Sequence, residues 1–391
     1  MVFGLLATMG HTSVITLDKV LRSSDAHNTL SETLKYNALA LESKSLADTA
    51  SDPLELYGDG SRARPELDLD GYEYTIGLSK SFKLGNIQSQ ERNIARLSNE
   101  AGALDAQNAV VHFRNSLKNL YHQYCVDTQN YVSFKQSYND LEKLYKKKRK
   151  AYKYQEISKT ELLQIESEKE SLFAKLQAMK MMKDIEKDKL LMLSKVNVSK
   201  HTQLSCRDVY AVRTSVKLGK TFRLSKEAHE KRLESTQGRM ERYSHSVESV
   251  NVSAQYGKEL DMDKYTVGVS LPLNFTSKRL EHEKAAAMYQ HSALESTYEQ
   301  NMREKKSMLK QLKSQLKSRA LMTKTLSKQY KNYKNKVLPL IKKSYNLGET
   351  SVIEYLLNRQ KLYSLNQEVY ATKKAYYQTL FTLYTLVEKK D

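Results

Sequence analysis

The chain has 391 residues and a formal net charge of +19, with four prolines, thirteen glycines and two cysteines. So few prolines and glycines, the latter mostly gathered near two short regions, leave the remainder to helix. The charge favours polyanionic partners without dictating a fold. Cys125 and Cys206 have no CxxC spacing and no second pair, so they give neither a disulfide framework nor a metal site and read as small buried or half-buried thiols.

No window approaches the roughly 20 apolar residues that a membrane helix needs. A membrane span would have to be a closed β-barrel, the other arrangement that satisfies every backbone group in lipid. Residues 1–14 are a candidate signal remnant: Met1–Met9 holds a short apolar run, but there is no positive segment before it and no clean small-x-small site after it.

In chain order, Thr16 to about Ser51 is predicted to be one helix, ending before Pro53. Leu54–Tyr57 is predicted as a short strand, Ser61–Gly71 as loop, and Tyr72–Leu84 as a strand alternating apolar and polar residues. After Gly85-Asn86 a helix runs to about Tyr154, with Val110, Phe113, Leu117, Leu120, Tyr124, Tyr131, Phe134, Tyr138, Leu141 and Tyr145 spaced by three and four and one break at Asp127. A 3.5-residue repeat sustained this long indicates coiled-coil packing, in a helix about 105 Å long. A tight turn at Gln155–Ser158 leads into a second helix ending near Val196. A further helix is predicted from Val209 to His245, although Val212, Thr214, Val216 and Leu218 alternate as an extended segment would.

Ser249–Gly257 and Lys264–Phe275 are the next strands, and a long helix from Thr276 to Leu347 follows, with Pro339 expected to bend it. It keeps the same repeat through Tyr298, Met302, Leu309, Leu312, Leu316, Leu326, Tyr330, Tyr333, Val337 and Leu340, with breaks at Lys305, Arg319 and Thr323. Gly348, in the turn after it, is expected to take a left-handed conformation, and a final helix runs to about Lys389. Gly77 and Gly268 are 191 residues apart, Leu117 and Leu309 are 192 apart, and Tyr152 and Tyr345 are 193 apart. Near-constant offsets of half the chain predict an internal duplication, with repeats at 15–196 and 197–391.

Tyr74-Thr-Ile-Gly-Leu-Ser79, Tyr265-Thr-Val-Gly-Val-Ser270, the turn Tyr345–Glu354 and the opening Ile15–Leu21 together resemble the TolC family of outer-membrane efflux proteins. The resemblance implies a mainly α protein with membrane β-structure: a homotrimer in which each chain gives four strands to one twelve-stranded barrel, continued by an α-helical tube through the periplasm. Its partners would be outer-membrane lipid, a periplasmic adaptor protein and an inner-membrane pump of the resistance-nodulation-division or ABC type. Thr75, Gly77, Ser79, Thr266, Gly268 and Ser270 would line the pore, and Tyr72, Tyr74, Phe82, Tyr256, Tyr265 and Phe275 would form the interfacial aromatic belt. The adaptor-docking tips would be Gln155, Glu156, Ile157 and Ser158 in the first repeat, and Asn346, Leu347, Gly348, Glu349 and Ser351 in the second. Glu354 matches the acidic position of the aperture ring, Glu161 is its equivalent in the first repeat, and Tyr345 matches a tyrosine that closes the aperture. Thr350 stands where the family has its gate arginine and Leu357 where it has a second acid, so closure would rest on Tyr345, Leu357 and packing.

No enzyme is legible. Gly219-Lys-Thr221 lacks the upstream glycine of a phosphate loop, which here is Thr214, and no histidine falls in an HExxH motif. No catalytic residue, cofactor or metal site is assigned. The run Lys146–Lys150 reads first as a solvated helix face. With Lys331–Lys343, at the same height in the second repeat, it would form a basic collar near the periplasmic mouth. The rival function is a basic coiled-coil scaffold, structural or bound to nucleic acid, but it leaves the four strands and the duplication unused.

Overall fold

The computed structural model describes residues 14–26, 29–63, 71–196, 203–245, 247–272 and 277–389. Residues 1–13, and Leu273, Asn274 and Phe275 of the expected last strand, lie outside them. In chain order the elements are β1 (Val14–Ile15), α1 (Leu17–Ala26), α2 (Thr29–Asp48), β2 (Glu55–Ala63), β3 (Gly71–Lys83), α3 (Ile87–Lys153) and α4 (Lys159–Ser194). Next come β4 (Gln203–Leu204), α5 (Arg223–Arg242), β5 (Ser249–Lys258), β6 (Asp263–Ser270), α6 (Arg279–Asn332), a π-turn (Tyr333–Val337), α7 (Leu338–Asn346) and α8 (Val352–Leu386). The chain divides into two units, one of residues 1–31, 109–222 and 305–391, the other of 32–108 and 223–304.

The second unit holds the four-stranded sheet, in the order β2-β3-β5-β6 with every pair antiparallel. β2 is longer than expected because Gly58 and Gly60 do not turn the chain; they continue the strand opposite Ile76 and Tyr74. β6 stops at Ser270, and Pro272, which has no N–H to give a ladder, follows after Leu271. At the base of the sheet Arg242 bonds Glu91 (2.9 Å) and Glu248, Lys83 bonds Glu91, and Arg279 bonds Glu248 at 2.9 Å. Burial raises the Glu91 pKa, but the bonds from Lys83 and Arg242 outweigh it and hold the carboxyl below its ordinary range.

The first unit is built on three apolar clusters taken in sequence by the helices. Ile15, Leu17, Val20 and Leu21 pack on Leu117, Tyr121, Leu190 and Leu191. Val126 meets Leu312 and Leu316 of α6 and Tyr376, Leu380 and Phe381 of α8. Phe134 and Leu141 meet Ile165, Leu172, Leu356 and Tyr363. All ten expected seam positions of α3 are buried or half-buried, as a heptad seam requires. The break at Asp127 is filled by an ion pair: Lys374 of α8 donates to Asp127 at 2.6 Å and to Glu186 of α4 at 3.1 Å.

Of the helix expected from Thr16 to Ser51, the described parts are α1 and α2, and residues 27–28 between them lie outside the described residues. Two other expectations need correction. The helix expected from Val209 begins only at Arg223, and the alternating stretch before it is extended. Among the described residues that stretch pairs with no strand, and side chains take up part of its backbone instead. His122 Nε2 accepts from Tyr210 N–H at 3.0 Å, the Tyr377 hydroxyl donates to Tyr210 C=O, and the Tyr376 hydroxyl both accepts from Arg213 N–H and donates to Arg213 C=O. Because Nε2 accepts, His122 carries its proton on Nδ1 and donates it to Lys118 C=O at 2.7 Å; burial holds its pKa down to about 4.

The second correction concerns the cysteines. Cys125 and Cys206 form a disulfide, with Cα atoms 5.5 Å apart, that ties α3 to the start of the extended stretch. Two cysteines 81 residues apart have no pattern that marks a pair; only the fold brings them together.

Candidate functional site: the sheet and the hairpin tips

The register decides what each face of the sheet carries. Ser79 pairs with Ser253 and Ser253 with Gly268; Gly77 pairs with Gln255 and Gln255 with Thr266; Asn251 pairs with Ser270. With period-two alternation these residues and Thr75 share one face, so the six expected pore-lining positions are brought together. Tyr57 lies flat across this face. Its hydroxyl donates to Gln255 at 2.9 Å, and a Cβ at Gly77 would fall 2.4 Å from its ring. Gly77 is therefore a glycine because an aromatic ring occupies the space above it.

The other face carries Leu56, Tyr72, Tyr74, Ile76, Leu78, Val252, Tyr256, Tyr265, Val267 and Val269. It is mainly apolar, with Lys80 towards one end and Arg62, Lys258 and Asp263 at the hairpin end, and it is open to solvent in the single chain: Tyr265 is 80% and Val267 78% exposed. A strand with one polar and one apolar face ordinarily buries the apolar one, so this face demands a covering. Four tyrosines gather at the hairpin end, with Tyr256 directly opposite Tyr265 and edge-on to Tyr74 at 6.2 Å; Phe82 stands at the other end. β2 and β6 are the open edges.

In the first unit the two hairpin tips are built alike. After α3, Gln155 takes φ 63°, Gln155 N–H bonds Tyr152 C=O and Glu156 N–H bonds Ala151 C=O. After α7, Gly348 takes φ 80°, Gly348 N–H bonds Tyr345 C=O and Glu349 N–H bonds Ser344 C=O. This is a left-handed helix cap that satisfies the last carbonyls. Ser158 caps α4 by accepting from Glu161 N–H (3.1 Å), and Ser351 caps α8 by accepting from Glu354 N–H (3.2 Å). Asn346, Leu347, Gly348 and Glu349 are exposed, as are Gln155 and Glu156, while Ile157 and Thr350 are half-buried.

The expected aperture residues separate. Tyr345, buried, donates to Glu161 at 2.6 Å and stacks on Tyr355 with ring centres 4.8 Å apart. Burial, then the Glu161 carboxylate, push its phenol pKa up, so it stays a donor at any physiological pH. Lys148 completes the cluster, pairing with Glu161 at 3.1 Å and lying over the Tyr345 ring at 4.6 Å. Glu354 and Leu357 are exposed outside this cluster. Lys148 is hidden in a run that reads as a solvated face. Yet it continues the seam at Tyr138, Leu141 and Tyr145, and that position is the signal in the sequence.

A π-turn, Tyr333–Val337, precedes Pro339. Pro339 has no N–H for the carbonyl of Asn335 and would clash with it in an α-helix; the wider turn relieves this, and Leu338 N–H bonds back to Tyr333 C=O. The inserted residue rotates the remainder of the helix by about 100°. Val337 and Leu340, expected in the seam, are accordingly exposed with Leu347, Ile353 and Leu357.

No protein-family model matches the chain, and no curated protein matches it in sequence. Solved structures do match. The CmeC outer membrane channel of Campylobacter jejuni is similar over 96% of this chain and 86% of its own, with a TM-score of 0.77 and 14% identity. The outer membrane protein VceC from Vibrio cholerae is similar over 95% of both chains, with a TM-score of 0.74 and 14% identity. The open-state MtrE outer membrane channel of Neisseria gonorrhoeae is similar over 96% of this chain and 89% of its own, with a TM-score of 0.75 and 16% identity. The chain has the TolC-family fold. Within that fold the amphipathic sheet and the capped hairpin tips have a geometry beyond packing. Among the described residues there is no group of three metal-ligating side chains and no helix long and apolar enough to cross a membrane.

Proposed function

We propose that the protein is the outer-membrane duct of a tripartite efflux system, taking substrates from an inner-membrane pump and a periplasmic adaptor to the exterior. The observation that carries this reading is the sheet, whose register sorts small and polar side chains to one face and exposed apolar ones to the other. Four strands cannot close a barrel, and in lipid an open edge leaves N–H and C=O groups unpaired. An even number of alternating strands lets β6 of one copy meet β2 of the next antiparallel, so three copies would close a twelve-stranded barrel with no edge. The tyrosine group at the hairpin end fits an interfacial girdle. The disulfide fits an exported chain, since such bonds persist in oxidising compartments, the periplasm included. Within this reading the chain is two repeats, 15–196 and 197–391.

The tips would form the periplasmic entrance and meet the adaptor, with the exposed apolar residues Leu340, Leu347 and Ile353 available for contact. Closure would rest on the cluster of Tyr345, Glu161 and Lys148, and Glu354 would form the acidic ring. Cell fractionation tests the duct: a detergent-extracted, heat-sensitive trimer in the outer membrane is expected, whereas a soluble, DNA-retained protein would return the basic scaffold. In planar bilayers Glu354→Gln should change cation block, and Tyr345→Phe, which loses the bond to Glu161, should raise the open fraction. Unchanged currents in both variants would remove the aperture assignment.

A further inference from the structure

From Lys305 to Gly348 the chain carries thirteen basic residues and no acidic one. Elsewhere its helices offset their charges locally, as in Arg22–Asp18, Arg96–Glu100, Lys146–Glu142 and Arg223–Glu227, all four residues apart. The first part of α6 does the same, with Arg279–Glu283 and Arg303–Glu299. After Glu304 the next acid is Glu349. Lys310, Lys313, Lys317, Lys324, Lys328 and Lys331 succeed one another at steps of three, four and seven, which at 100° per residue keeps them within a sector of about 60° and a length of about 32 Å. All six are exposed, and among the described residues none makes an ion pair. Like charges at these spacings repel one another along a helix, and a glutamate at any neighbouring position would relieve it.

The stripe continues onto neighbouring elements of the same unit. Lys324 lines a cavity of about 1060 Å³ whose other cations are Arg213 and Lys217 of the extended stretch, Lys373 of α8 and Lys389 just after it; no acidic residue lines it. Lys373 is held below the ordinary lysine range by burial and then by the charge of Lys331.

We propose that this stripe and the cationic cavity beside it are a docking surface for an acidic helix of a partner protein, laid alongside α6. The spacing selects the occupant. A small anion would engage one or two lysines, whereas a helix with acidic residues at the same three-and-four spacing meets the whole row, as charged flanking positions do in a coiled coil. The surface stands on charge and spacing and does not depend on the duct.

The test uses the full chain in detergent and three probes: a labelled helical peptide four heptads long with a single glutamate stripe, its isomer with the same glutamates spread round the helix, and heparin. The striped peptide should bind at least about ten-fold more tightly than its isomer and weaken steeply with salt. Replacing Lys310, Lys313, Lys317 and Lys324 with Gln should lose that preference, while replacing Lys35, Lys44, Lys278 and Lys284 should not. The fourfold change of the stripe to Glu should instead bind a lysine-striped peptide. Equal binding of the two isomers, heparin binding as tight as the striped peptide, or unchanged affinity in the stripe variant would overturn the proposal.

Discussion

Asp127 and Glu186 share one lysine, and that imbalance is measurable. Lys374 reaches both carboxylates, yet the second oxygen of Glu186 is buried without a hydrogen-bond partner among the described residues. Burial, then the Asp127 carboxylate, push the Glu186 pKa up to about 7 against the opposing pull of Lys374. A folded-state pKa above the unfolded one means that the folded chain binds the proton more tightly, so this site loses stability as pH rises through 7 and recovers it on acidification toward 4.5. Glu186→Gln should therefore raise stability at pH 8 by about 1–2 kcal/mol, allowing for solvent screening, and leave it nearly unchanged at pH 5. Urea unfolding at the two pH values reads the difference. Asp127 is visible in the sequence only as a gap in the seam, because its partners sit on two other helices.

The extended stretch before α5 shows how an element can be legible and still misassigned. Its alternation of Val212, Thr214, Val216 and Leu218 points away from helix, but a strand needs a neighbouring strand, and here hydroxyls and an imidazole take that place. The disulfide anchors its start to α3. Replacing both cysteines with serine should cost about 2–4 kcal/mol, the usual effect of closing a loop of this order. The intact protein should show no thiol to alkylation until it is reduced, and a stability unchanged by the double substitution would mean that the hydrogen bonds alone hold the stretch. The tips are the opposite case. Gly348, Ser158 and Ser351 carry their cap chemistry in plain view, since capping depends on residues within one turn.

At the scale of the whole molecule the two faces of the sheet make opposite demands. Val267→Lys puts a charge on the exposed apolar face, which in a lipid-facing position costs about 2–4 kcal/mol near the bilayer centre; assembly into the outer membrane should fail. Thr266→Lys, one residue away on the other face, should assemble normally and change ion selectivity in bilayers. If both variants assembled alike, the faces would not be lipid and lumen. The +19 charge belongs to this scale too. It is not spread evenly, and its concentration on the far part of α6 is what makes it a surface rather than a composition.

By itself the sequence determined the periodicities: long heptad helices, strands that alternate and the left-handed turn at Gly348. Each is set by residues within a few positions of one another, where local sterics and hydrogen bonding act. Only the tertiary structure decided the contacts that cross between elements: the disulfide, the Asp127–Lys374–Glu186 group, Tyr57 over Gly77, and Lys148 between Glu161 and Tyr345. Those contacts join residues up to 247 positions apart, and no local preference records which of many compatible side chains the packing will bring within reach.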